Sequence, residues 1–308
     1  MKKPALIILI LFSFYPGGSS QQLPLLDNYL INPASLSPAF TGKYNLFEAY
    51  ITYRNEWINI PGSPLTGALN LDAMVNKNIG LGGNIQLTKA GILTNFTANF
   101  NFAYHIQVAR QHFLSFAINV VLYQNSINLT ELIVSNPQDP MLNGRDNITE
   151  TFPNVGTSIL YSWRDLNVCI AFPLLFNNRS FYSNSTYDHV MALDRNWLFY
   201  ANYSVGVNPA WKLKFDLLIR NSQYTPWNYE LSTMVTYNDA YWFGLFYRRN
   251  NIIGITAGLS ILNAMVINYN YEFSGSSMTG RSGGTHEISL GYTLKKKKKV
   301  VSLKDYNY

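Results

Sequence analysis

Charge is scarce in this chain. Asp, Glu, Lys and Arg make up 13% of its 308 residues, against about 25% in ordinary soluble domains. There is one cysteine, Cys169, so neither an internal disulfide nor a cysteine-based metal cluster can form. The four histidines, His105, His112, His189 and His286, are scattered without metal-ligand spacing, so no metal or other cofactor is expected. Beyond the N-terminus no uncharged apolar run approaches the roughly 20 residues of a spanning helix, which excludes a helical membrane bundle. The net charge of +6 is also local, because Lys2, Lys3 and the run Lys295 to Lys299 more than account for it. That is a basic tail and not a nucleic-acid surface.

The N-terminus reads as a secretory signal. Lys2 and Lys3 precede an apolar stretch, 5–15, followed by Pro16, Gly17, Gly18, Ser19 and Ser20. The stretch is too short to span a bilayer, and cleavage is expected after Ser20.

What the chain has in abundance is aromatic residues, 15% with 22 Tyr, set in strict alternation. Phe47, Ala49, Ile51 and Tyr53 alternate with Glu48, Tyr50, Thr52 and Arg54. Phe96, Ala98, Phe100, Phe102 and Tyr104 alternate with Thr97, Asn99, Asn101 and His105. Trp211, Leu213, Phe215, Leu217 and Ile219 alternate with Lys212, Lys214, Asp216 and Arg220. A period of two marks strands with one apolar and one polar face. The segments run about 9 to 12 residues, the length of a tilted membrane strand and longer than the usual five or six.

About 14 strands are expected, near 46–54, 65–74, 80–89, 94–106, 112–124, 154–163, 167–176, 195–208, 211–220, 227–237, 240–248, 252–262, 264–274 and 286–294. Their connections sort by parity. After even strands they are short, as at 75–78, 164–166 and 238–239; after odd strands they are long or intermediate, notably 125–153 and 177–194. A sandwich has no reason to sort its loops this way. An outer-membrane barrel does, with short periplasmic turns and longer external loops. The charges Glu48, Arg54, Asp72, Lys212, Lys214, Asp216, Arg220, Glu230, Arg248, Glu272 and Glu287 all fall on polar faces, hence in the lumen. Trp57, Trp163, Trp197, Trp211, Trp227 and Trp242 lie near strand ends, where an interfacial girdle is expected.

No catalytic constellation stands out, and the chain is expected not to be an enzyme. Gly80, Gly82 and Gly83 resemble a phosphate loop, but no P-loop Lys or helix follows; glycine in a strand marks a bend or close contact instead. Cys169 reads as a small wall residue.

The segment before the first strand differs. Pro24, Pro33 and Pro38 prohibit a long helix, while Leu25, Leu26, Tyr29, Leu30 and Ile31 need burial. A plug or collar at the periplasmic end of the barrel is expected. The expected organisation is therefore a signal peptide (1–20), this N-terminal segment (21–45), a transmembrane antiparallel β-barrel (46–294) and a basic periplasmic tail (295–308).

Residues in this region carry a resemblance. Gln21 and Gln22 are followed by Tyr29-Leu30-Ile31-Asn32-Pro33, then by Ser37-Pro38-Ala39-Phe40-Thr41-Gly42. Tyr53-Arg54-Asn55-Glu56-Trp57 and Gly62-Ser63-Pro64-Leu65-Thr66 come next. In order and spacing this resembles the PorP/SprF family of type IX secretion outer-membrane proteins, with Tyr29, Asn32, Pro33, Pro38, Ala39, Gly42, Tyr53, Arg54, Trp57, Gly62, Pro64 and Thr66 as matching positions. Ser37, Phe40 and Glu56 depart from the family's usual Asn, Tyr and Gln. The resemblance implies a secretion or gliding role in the cell outer membrane. It implies as partners a large adhesin-like secreted protein, components of the periplasmic secretion ring, or both. Lys295, Lys296, Lys297, Lys298 and Lys299 read either as a solvated tail that stops the last strand or as an electrostatic contact with lipid headgroups or a periplasmic partner. The alternative is a diffusion channel for small or hydrophobic solutes.

Overall fold

The structure, a computed structural model, describes residues 26–130, 147–179, 192–222, 226–249, 251–273 and 280–295. The expected signal peptide, the bulk of loop 125–153 and Lys296 to Lys299 lie outside them; Lys295 is the last residue of the final strand.

Fourteen antiparallel strands close into a barrel, in order round the wall β1 (Asn45–Asn55), β2 (Leu65–Met74), β3 (Ile79–Ala90), β4 (Leu93–Ala109), β5 (His112–Asn128), β6 (Asn147–Trp163) and β7 (Leu166–Leu174), then β10 (Asn196–Gly206), β11 (Trp211–Ser222), β12 (Asn228–Tyr237), β13 (Tyr241–Arg248), β14 (Ile252–Ile261), β15 (Met265–Phe273) and β16 (Thr285–Lys295). The last strand pairs with the first, from Asn45 opposite Lys295 to Asn55 opposite His286, so no edge is left unpaired. A short hairpin, β8 (Asn178–Arg179) with β9 (Ala192–Leu193), stands apart from the wall.

The alternation seen in sequence becomes an inverted protein. Ile51, Phe100, Ile118, Val120, Phe215, Leu245 and Leu290 point outward and are exposed, whereas Arg54, Asp216, Glu230, Arg248, Glu272 and Glu287 point inward and are buried. A water-soluble fold would put these the other way round. Facing acyl chains outside and a polar lumen inside, both sets are where their solvation is favourable. Of the expected luminal charges, Lys212 alone sits at the rim, where it pairs with Asp239 in solvent.

Three expectations are corrected. Strands β4, β5 and β6 are 17 residues long, so β5 and β6 continue well into what reads as a 125–153 loop. They continue because they have a core of their own: Val121, Tyr123, Ile148, Phe152, Leu174 and Leu193 cluster there. The polar residues between these positions hide the pattern. The hairpin β8–β9 lies inside the stretch 177–194, read as a long loop, and Leu193 joins this same cluster. Finally, Trp242 is not part of a girdle. It lies on the luminal face of β13, with Nε1 donating to Asn268 Oδ1 at 2.7 Å. Trp57, Trp163, Trp211 and Trp227 are exposed as expected.

Candidate functional site

The N-terminal segment fills the barrel. Three short 3-10 turns follow one another, Asp27–Leu30, Pro33–Ser35 and Pro38–Phe40. Pro33 and Pro38 each open a turn, where a fixed φ helps and a missing N–H costs nothing. At one end Lys43 reaches Ser162 and Asn167 at the short-turn mouth. The segment does not stop at that mouth as a collar would. It continues as a plug through the lumen until Asp27 meets the long-loop ends of β1, β13, β15 and β16.

Its apolar side chains are satisfied inside. Tyr29, Leu30, Ala39 and Phe40 pack against Ala103, Ala117, Leu160, Cys169, Ala171, Leu198, Tyr200, Leu218 and Phe246 of the wall. Alanine and cysteine on β4, β5 and β7 leave a hollow that the third turn occupies. Tyr200 stands edge-on to both Tyr29 and Phe40, at centroid distances of 5.9 and 5.7 Å. Cys169 is fully buried beneath the plug, its Sγ 3.2 Å from Ser37 Oγ.

Polar contacts fix the register between plug and wall. Ala39 N–H donates to Ser158 Oγ at 3.0 Å, and Gly42 N–H to Asp72 Oδ2 at 2.8 Å. His105 Nε2 donates to the Thr41 carbonyl at 2.9 Å, which leaves Nδ1 to accept from Ser115 at 2.7 Å. Lys214 donates to the Leu30 carbonyl at 2.8 Å. Gly42 has φ +68°, and a Cβ on Gly80 would lie 2.0 Å from the Thr41 carbonyl oxygen. The glycines near residue 80 are thus a place of close approach between plug and wall.

The strongest attachment is ionic and buried. Arg54 lies 2.7 Å from Asp27, 2.9 Å from Glu272 and 3.1 Å from Glu287. Arg248 lies 2.6 Å from Asp27, 2.5 Å from Glu230 and 2.7 Å from Glu272. Asp27 belongs to the plug; the other five belong to the wall. Its carboxylate bridges the two guanidiniums, its backbone N–H donates to Glu287 at 2.9 Å, and Tyr29 OH donates to Glu230. Burial alone would push the Asp27 carboxyl up, but Arg54 and Arg248 outweigh it and hold it down to about 2. The Tyr29 hydroxyl is driven well above its ordinary value by burial and the adjacent Glu230.

The residues that matched the family pattern divide by place. Tyr29, Asn32, Pro33, Pro38, Ala39, Gly42 and Arg54 meet at the plug and its contacts with the wall. Trp57, Gly62, Pro64 and Thr66 shape the β1–β2 connection or its start: Gly62 has φ +74°, Pro64 O accepts from Glu56 N–H, and Thr66 pairs with Thr88 across strands. Tyr53 faces outward and is exposed. Asp27, the charge at the centre of the network, drew no notice in the sequence; a lone acid in an apolar, Pro-punctuated stretch was its signal.

The plug lies between two spaces. The one on the short-turn side is about 520 Å³ and carries Lys43, Glu48, Arg164, Asp165, Lys214 and Asp239. The one on the long-loop side is about 150 Å³ and combines a row of amides with apolar residues of the plug and wall. Among the described residues no group of three or more His, Cys, Asp or Glu side chains is arranged to hold a metal ion.

Comparison with known proteins bears on this arrangement. A family model described as type IX secretion system membrane protein PorP/SprF matches residues 18–292. No curated protein matches the chain. Among solved structures, the CymD monoaromatic hydrocarbon channel is similar at 12% identity and TM-score 0.52, covering 91% of this chain and 95% of that one. The Ralstonia pickettii toluene transporter TbuX is similar at 9% identity and TM-score 0.50, covering 91% and 96%. These likenesses show the fold, that of outer-membrane barrels.

Proposed function

The chain belongs to the PorP/SprF family and is an outer-membrane component of type IX secretion, and on that premise we propose that it acts by binding a protein partner rather than by conducting solutes. The observation that carries this reading is the occupied lumen. A diffusion channel needs a continuous path, whereas here a segment of the chain itself is packed and ion-paired along the barrel interior. The long loops are taken to face outward and the short turns the periplasm, as in other barrels of this kind. The 520 Å³ recess at the short-turn mouth then opens to the periplasm with charges of both signs around it. Such a rim suits a protein surface of mixed charge, either the secreted adhesin-like cargo or a component of the secretion ring. The Lys295 to Lys299 run adds an electrostatic handle on the same side, with a strength that falls as salt screens it over about 10 Å at 0.1 M.

The test compares the surface proteomes of a deletion strain and a strain with all five lysines changed to Gln. Deletion should remove one large surface protein while leaving permeability unchanged, and the Gln variant should weaken co-purification of the periplasmic partner. The second reading, a channel for small apolar solutes, draws on the solutes named for CymD and TbuX. A deletion strain with a normal surface proteome and impaired uptake of an aromatic hydrocarbon would favour it.

A further inference from the structure

The 150 Å³ space on the long-loop side of the plug has an unusual wall. Strand register places Asn70 opposite Asn84, Asn84 opposite Asn99, and Asn101 opposite Asn119. Asn84, Asn99, Asn101 and Asn119 line the space, and Asn70 lines a smaller one of about 40 Å³ that shares Asn84 with it. Asn99 Nδ2 donates to Asn84 Oδ1 at 2.6 Å. Yet the side-chain oxygens of Asn99, Asn101 and Asn119 and the Nδ2 of Asn70 are buried without a hydrogen-bond partner among the described residues. Asn101 and Asn119 are only 5% and 4% exposed.

Leaving such groups unsatisfied costs about 1–3 kcal/mol each. A roomy polar cavity must therefore hold something that hydrogen-bonds. The side opposite the amides is different in kind: Leu36 and Pro38 of the plug and Leu198 of β10 are apolar. Arg220 projects from the far wall, with no ion pair to a carboxylate among the described residues, and no acidic side chain lines the space. Water can satisfy the amides but gains nothing from the apolar side, so a ligand that matches both can displace it at little cost. A ring with a C–H face and hydroxyls around its edge fits both. Each hydroxyl can donate to an unpaired amide oxygen and accept from an amide or guanidinium N–H. An engineered apolar cavity of about 150 Å³ holds benzene, so this space is on the scale of the ring itself, with the hydroxyls left to reach the amides and the open side.

We propose that this space binds one pyranose ring of a carbohydrate, held by the asparagine row on β3, β4 and β5, with the plug as its apolar floor. The ring is supplied free or as the terminal unit of a surface glycan. The inference stands apart from the secretion role, because it is tested on the purified protein.

The full chain in detergent is applied to an array of surface glycans, and free hexoses, N-acetylhexosamines and deoxyhexoses are screened by saturation-transfer NMR. Binding of a free sugar identifies the small ligand. Binding only on the array identifies a glycan terminus. The pair Asn101→Ala and Asn119→Ala should weaken either by about tenfold or more, the loss of roughly 1.4 kcal/mol. Leu36→Trp, which fills the space from the plug and spares the amides, should do the same, and covers the case in which the asparagine variants fail to fold. Absence of binding in both screens, binding of peptide termini alone, or sugar binding indifferent to Leu36→Trp would each overturn the assignment.

Discussion

Replacing Arg54 by Met removes one of the two cations that join plug to wall and leaves a side chain of similar length. Asp27 and Glu287 are completely buried and Glu272 nearly so, and all three lie within 3.1 Å of the Arg54 guanidinium. Arg248 remains, but it is already committed to Glu230 as well as to Asp27 and Glu272. Breaking a buried ion pair by removing one partner costs about 3–5 kcal/mol. Glu272 and Glu287 belong to the wall and cannot leave, so the cost is relieved by release of the plug and entry of water. The chain carries its own reporter, since Cys169 is its only cysteine and is covered by Ser37 of the plug. In detergent, maleimide should modify Cys169 slowly in the native chain. In Arg54→Met it should do so roughly a hundred- to several-thousand-fold faster, which is 3–5 kcal/mol expressed as an opening equilibrium. Arg54→Lys keeps the charge and loses the fork, and should fall between the two. Heat-modifiable mobility on a gel would show that the barrel is still closed. Equal labelling rates in Met and native chains, with the barrel intact, would refute the idea that this network holds the plug.

Gly80→Ala should also expose Cys169, because the new Cβ would stand 2.0 Å from the Thr41 carbonyl; Gly67→Ala and Gly206→Ala, with nothing within 4 Å, should not. Acid should act through Asp27 in a defined window. Its carboxyl is held down to about 2 in the folded chain, against about 3.9 unfolded, so its contribution is complete above about pH 4 and is lost as pH falls towards 2. Pepsin cutting of the 26–42 segment, normalised at each pH to its cutting of an unfolded peptide, should accordingly be faster at pH 2 than at pH 4, and equal normalised rates would contradict the linkage. For orientation, a cysteine at Asn143 in a Cys169→Ser background should react with impermeant maleimide on intact cells. Labelling only after the outer membrane is breached would reverse the assigned sides.

Much of the barrel was legible because membrane strands must alternate, and alternation is local. Phe100 outward and Asn101 inward follow from period two alone, and loop parity then distinguishes a barrel from a sandwich. Legibility failed where a residue's meaning depends on partners far away in sequence. Asp27 meets Arg248 across 221 positions, and nothing near either residue announces the other. The row from Asn70 to Asn99 exists only once register is set, since each strand alone shows one more polar residue on its luminal face. Trp242 misled for a related reason: aromatic residues near strand ends suggest a girdle, but its even position on β13 puts it inside, where Asn268 accepts its N–H. The long β5–β6 arm was hidden because its inward side turns apolar above the lumen, so the expected polar and apolar faces change places.

The most direct test is electrical. The purified full chain, reconstituted in planar bilayers, should show no stable conductance, because residues 26–42 occupy its lumen. A variant lacking those residues, with its barrel verified by heat-modifiable mobility, should open in discrete steps. A large and stable conductance from the intact chain would contradict a barrel closed by its own N-terminal segment.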